Sequence, residues 1–143
     1  MASEPMNAIR MPIVAALALI LGGCSLSPST PCPSDRELID RFSSQAALFT
    51  KLTADPENVE LQSSLGIERV MKRSTTSKRM WFEVWFKDFP GPGGCMKGYA
   101  YCEEVPASLV ESIDDNSNPG SAEIKEIYRK ISENWYLFYQ SDN

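Results

Sequence analysis

Hydrophobic and polar positions follow three successive patterns along this chain. The first is an unbroken apolar run, Pro12 to Leu21, ten residues long. It is about half the ~20 residues that a membrane-spanning helix needs and matches the apolar core of an export signal. Residues 25–33, Ser-Leu-Ser-Pro-Ser-Thr-Pro-Cys-Pro, have no period and little that can pack. They read as a tether, and nine residues near the polyproline rise of ~3.1 Å would reach roughly 28 Å.

The second pattern has helical spacing. Ser34 and Glu37 form a capping box, and Leu38, Phe42, Ala46 and Phe49 recur on one face, with Ile39 and Leu52 widening it. The spacing predicts a helix from Asp35 to Thr53, which Asp55-Pro56 stops or restarts as a short second helix with Asp55 as its cap. In the third pattern the period becomes two and β-branched and aromatic residues dominate. Strands are predicted near 66–70, 80–87, 96–102, 125–131 and 135–140. The last two form a hairpin through Ser132-Glu133-Asn134, with Ile127, Ile131, Trp135, Leu137 and Tyr139 on one face and Arg129 intruding there. The fold class is α+β, an N-terminal amphipathic helix packed on an antiparallel sheet of four or five strands. Boundaries follow: 1–23 a signal peptide that is removed, 24–33 the tether, 34–143 one domain.

The segment Met80-Trp81-Phe82-Glu83-Val84-Trp85-Phe86-Lys87 adds a candidate surface. Strict alternation places Met80, Phe82, Val84 and Phe86 under the helix and Trp81 and Trp85 together on the other face, between Glu83 and Lys87. Aromatic rings interleaved with charges suit a glycan or a partner protein. Ahead of this strand, Arg69, Lys72, Arg73, Lys78 and Arg79 form a basic run suited to lipid phosphates, although such a run is also what a solvated hairpin loop carries.

The apolar run ends in Leu21-Gly22-Gly23-Cys24, with Arg10 before it. A start at Met6 would leave Arg10 as the sole charge ahead of the run. This order of charge, apolar run, Leu, two small residues and Cys resembles the lipobox signal of bacterial lipoproteins. The resemblance implies diacylglycerol on the Cys24 thiol, cleavage between Gly23 and Cys24, and acylation of the new amino group. Ser25 rather than Asp after the cysteine implies sorting to the outer membrane, periplasmic face, rather than the inner membrane. The segments Lys97-Gly98-Tyr99-Ala100-Tyr101 and Asn134-Trp135-Tyr136-Leu137-Phe138-Tyr139 also look like those of small Gram-negative lipoproteins, a likeness that implies no activity.

Charge and composition narrow the rest. The net charge is −5, without the basic face that nucleic-acid binders present, so no nucleic-acid partner is expected. Histidine is absent from the sequence, which removes Ser-His-Asp and Cys-His nucleophiles and histidine metal sites. Thr75 with Lys78, and Gly91-Pro92-Gly93-Gly94 without the Lys-Ser/Thr of a phosphate loop, lack the context their chemistries need. The glycine segment reads as a turn between strands. Glu103-Glu104 and Asp114-Asp115 read as solvated acids, since neighbours on a strand point to opposite faces and cannot span a sugar. Asp115, Ser117, Gly120 and Glu126 have the spacing of a calcium loop, but Pro119 occupies a ligand position and no helices flank it, so a turn at Asn118-Pro119-Gly120 is the expectation. No metal and no cofactor are expected.

If Cys24 takes lipid, Cys32, Cys95 and Cys102 remain, and export permits a disulfide. The most local pairing, Cys95 with Cys102, requires the chain to fold back at Gly98-Tyr99. If 95–102 is one straight strand, its sulfurs lie more than roughly 20 Å apart, and Cys32 is left to pair with either. The functional expectation is a membrane-anchored envelope lipoprotein, a non-enzymatic binding or scaffold module contacting an envelope protein or glycan. An inhibitor of a cell-wall-cleaving enzyme such as lysozyme is the alternative. A carboxylate hydrolase would require two distant acids to meet in a cleft.

Overall fold

The computed structural model describes residues 30–72, 79–117 and 125–142. The signal segment, Cys24 and most of the tether lie outside these residues, as do Arg73, Thr75, Lys78 and the Asn118-Pro119-Gly120 turn. The fold is α+β, with helices α1 (Asp35–Ser44), α2 (Ala46–Ala54), α3 (Val59–Ser64) and α4 (Ile113–Asn116), and strands β1 (Arg69–Lys72), β2 (Arg79–Asp88), β3 (Gly94–Cys102), β4 (Lys125–Lys130) and β5 (Trp135–Asp142). The five strands form one sheet in the order β1-β2-β3-β5-β4, with every neighbouring pair antiparallel.

The capping box at Ser34 and Glu37 starts α1 in both directions: the Glu37 N–H donates to the Ser34 hydroxyl at 3.3 Å and the Ser34 N–H to the Glu37 carboxylate at 2.7 Å. The helix expected to run to Thr53 divides at Gln45, whose backbone leaves the helical region at φ −126° and ψ 21°, just after Ser43 and Ser44 bond back to the carbonyls of Ile39 and Arg41. Asn58, rather than Asp55, caps the third helix through the Leu61 N–H at 3.0 Å. Gly66 ends that helix at φ +65°, with its own N–H on Ser63 and that of Ile67 on Gln62. This Schellman closure absorbs Gly66 and Ile67, so the first strand begins at Arg69 rather than at 66.

Helices α1 and α2 lay Leu38, Phe42, Phe49 and Leu52 on the sheet, where they join Phe82, Tyr99, Trp135, Leu137 and Tyr139 in the main core. Trp135 is its centre, with ring centroids 5.4 Å from Phe42, 5.3 Å from Phe49 and 5.5 Å from Phe82. The β4–β5 register sets Ile127 opposite Tyr139 and Arg129 opposite Leu137, so Arg129 does intrude on the apolar face. The other sheet face carries a second cluster of Trp81, Ala100, Cys102, Tyr128, Tyr136 and Phe138.

One irregularity decides which side chains face which way. Along β2 the pairing with β3 runs Phe82 to Tyr99 and Glu83 to Gly98, then jumps to Trp85 opposite Lys97, leaving Val84 as an extra residue. A bulge of this kind inverts the alternation beyond it. It closes over Gly98, where an added Cβ would stand 2.1 Å from the Phe82 carbonyl oxygen and 3.0 Å from the Val84 nitrogen. Any side chain there would push the two central strands apart. Gly98→Ala is therefore expected to lower unfolding free energy by about 2–3 kcal/mol, measured by urea titration with the wild-type m-value as control.

Candidate functional site

The bulge separates the two tryptophans that strict alternation places together. Trp81, before it, belongs to the second cluster and is 6% exposed. Its indole N–H donates to the Tyr128 hydroxyl at 3.0 Å, and that hydroxyl donates to Glu126. Burial, with the Glu126 bond adding to it, pushes the Tyr128 phenol far above its ordinary range. One edge of Trp81 borders a depression of about 180 Å³ with Met71, Lys72, Glu126 and Gln140, but the polar end of the ring is committed inside the protein. Trp85, after the bulge, turns to the helix side, and Phe86, expected under the helix, is instead 43% exposed. Glu83 is buried and held by Arg69 at 2.6 Å, with the Arg69 guanidinium 5.7 Å from the centre of the Phe86 ring. The shared Trp81–Trp85 docking surface is thereby corrected. The basic run is also divided, since Arg69 serves Glu83 and Lys72 pairs with Glu57 at 2.8 Å.

The Trp85 side chain instead borders a cleft of about 240 Å³ on the helix side, shared with Thr30, Cys32, Lys87, Cys95 and Tyr139. Here the N-terminal segment meets the domain: the Trp85 indole N–H donates to the Thr30 carbonyl at 2.8 Å. Burial and the adjacent Cys95 sulfur push the Tyr139 phenol up to about 12. The three cysteines among the described residues are thiols, Cys32 exposed and Cys95 and Cys102 buried. Cys95 and Cys102 stand at the two ends of the single strand β3, which does not fold back at Gly98-Tyr99. Seven residues of extended chain place their sulfurs on opposite sheet faces roughly 20 Å or more apart, so the local disulfide is excluded. Burial pushes the Cys102 thiol up to about 11, which suppresses its thiolate.

Beside the cleft lies an ionic cluster that the sequence pattern did not single out. Lys97, on the apolar face of β3 and 1% exposed, places its ammonium 2.8 Å from Asp35 and 2.6 Å from Asp114. Asp35 also accepts from the Arg129 guanidinium and from the Ile113 N–H, each at 2.8 Å, and its own N–H donates to Asp114 at 2.8 Å. Its signals were present: a lysine and an arginine each break the apolar alternation of their strands, and Asp35 opens the amphipathic helix. Burial alone would raise the Asp35 carboxyl, but hydrogen bonds from Lys97, Arg129 and Ile113 outweigh it and hold the group below the usual carboxylate range.

Of the acidic pairs, Asp114 belongs to this cluster, and Asp115 lies in the first turn of α4, its N–H on the Ser112 hydroxyl. Ser117 ends that helix, Glu126 bonds Tyr128 on β4, and Gly120 lies outside the described residues. Among the described residues no group of three acidic, cysteine or histidine side chains is placed to hold a metal ion.

Two outcomes follow. Because the folded Asp35 pKa lies below the unfolded value of ~3.9, its contribution is complete above that pH and lost as pH falls through the folded value. Asp35→Asn should flatten the acid side of the stability curve below pH ~4 and cost about 3–5 kcal/mol at pH 7, both read from urea titrations across pH. Collisional quenching of tryptophan fluorescence by iodide should report Trp85, because Trp81 and Trp135 are 6% and 7% exposed. Trp85→Phe should remove the quenchable component and Trp81→Phe should leave it.

No protein-family model, curated protein or solved structure matches the chain, so its fold and site rest on its own geometry.

Proposed function

We propose that the chain is a lipid-anchored envelope lipoprotein, held through Cys24 on the periplasmic face of the outer membrane, whose domain is a non-enzymatic binding or scaffold module. The observation that carries this reading is how the N-terminal segment is mounted. Thr30 is held by Trp85 of β2, and five residues later Asp35 is gripped by Lys97 of β3 and Arg129 of β4. A domain hung from its N-terminus receives every pull at that point. Here the pull passes into three strands of the sheet rather than into one helix end.

The strongest charges near the cleft are engaged with one another in this mounting, which favours a structural over a catalytic use. Docking of Thr30 also shortens the tether. From Cys24 to Thr30 the chain reaches at most roughly 21 Å, at ~3.3–3.6 Å per residue, so the domain works close to the headgroups. Outward-facing apolar side chains suited to a partner are Phe86, 43% exposed, and Val105 and Leu109 on the segment before α4, 65% and 46% exposed.

Metabolic labelling with an alkyne fatty acid, followed by membrane fractionation, tests the anchor. The wild-type chain should carry label and sediment with outer membranes, and Cys24→Ser should lose both. Photo-crosslinking from position 86 should capture an envelope protein or glycan, with position 81 silent as the buried control. Retention of label in Cys24→Ser would overturn the anchor. Slowing of lysozyme by the purified protein would replace the scaffold reading with that of an inhibitor.

A further inference from the structure

We propose that Cys32 and Cys95 form a disulfide that fastens the N-terminal segment covalently to the central strand of the sheet. The two residues border the same cleft. Cys32 lies between two points already pinned to the sheet, Thr30 on Trp85 at 2.8 Å and Asp35 on Lys97 at 2.8 Å. Trp85 and Lys97 are direct cross-strand partners, and Cys95 is two residues from Lys97 on the same face of β3, a distance of ~6.6–6.8 Å along the strand. The short stretch from Thr30 to Asp35 therefore runs past Cys95.

Cys102 is excluded as the partner by the parity of the strand. Seven positions from Cys95, it faces the opposite side, packed with Trp81, Tyr128 and Phe138. Desolvation raises the Cys32 thiol above its ordinary value, Lys97 draws it down, and the Cys95 sulfur, close enough to act on it, pushes it up. Cys32 is exposed and open to attack on an external oxidant, whereas Cys95 is buried beside it as the resolving thiol.

The oxidant required is an exported dithiol–disulfide oxidase, or a small-molecule disulfide acting in its place. The Cys32 thiolate attacks the oxidant's disulfide, forming a mixed disulfide and releasing one oxidant thiolate. The Cys95 thiolate then attacks the Cys32 sulfur, forming the Cys32–Cys95 bond and releasing the second. Two protein thiols lose two protons and two electrons, and the oxidant disulfide is reduced to a dithiol. In the cell this step rests on export to an oxidising compartment, as proposed above, whereas the pairing rests on geometry alone.

The test uses the purified full-length Cys24→Ser chain in detergent, equilibrated with oxidised and reduced glutathione, alkylated and digested without reduction. Trypsin cuts after Arg36 and Lys97 and so separates the three remaining cysteines. A peptide joining Cys32 to Cys95, lighter by two hydrogens and lost in Cys32→Ser and Cys95→Ser, is expected, with Cys102 recovered as its alkylated thiol. An alkylated Cys32, or Cys32 joined to Cys102, would overturn the pairing. The same map on wild-type protein trapped directly from cells separates the two premises: a bond formed with glutathione but missing in cells supports the pairing and overturns the export reading.

Discussion

The burial of Lys97 is the constraint on which this fold depends. An ammonium group that is 1% exposed in the middle of a central strand carries a large desolvation cost that only nearby carboxylates offset. Asp35 and Asp114 supply them from two different helices, α1 and α4, and Asp35 also engages Arg129 from β4. A buried ion pair of this kind is weak as a source of net stability, because desolvation offsets much of the attraction. Its value is positional. The apolar face of α1 could slide over the sheet at modest cost, since Leu, Phe and Trp side chains are non-directional neighbours. Only one placement gives Lys97 its partners, and that placement also brings Tyr99 to donate its hydroxyl to the Leu38 carbonyl at 2.9 Å. The same clasp sets where the N-terminal segment crosses the sheet, and so it creates the cleft that contains Cys32 and Cys95.

The bulge at Val84 is the second determinant, and it is covalently trivial. Gly98 gives Val84 room to stand out of register, after which Trp85 faces the helices and Phe86 faces outward. Without that extra residue, Trp85 would share a face with Trp81, and Thr30 would have no donor beside it. A packing detail between two central strands thus sets both where Thr30 is held and which aromatic ring is exposed.

Attachment and interior chemistry then form one arrangement. Trp85, Lys97 and Arg129 belong to three strands but converge on residues 30–35 of a single segment. Force arriving along residues 30–35 passes into the sheet, whose rings are packed around Trp135. The proposed scaffold role calls for this stiffness, and the cleft of about 240 Å³, bordered by Thr30 and Cys32, admits no large ligand without displacing the segment.

Much of this was determined by local chemistry that sequence expresses directly. Ser34 and Glu37 cap a helix wherever they occur at that spacing, the switch of period from helical to alternating marks the sheet, and Arg129 breaks the face of its hairpin as the alternation requires. The lipobox resemblance at Cys24 is likewise a property of contiguous residues. Tertiary structure alone decided the rest, because it depends on residues far apart in the chain. The period-two rule carries no mark of a bulge, so the faces of Trp85 and Phe86 followed from the Gly98 backbone on a neighbouring strand. Asp35 and Lys97 are ordinary charges until packing removes water from both, and Cys32 borders the same cleft as Cys95 because that ion pair holds residues 30–35 beside β3.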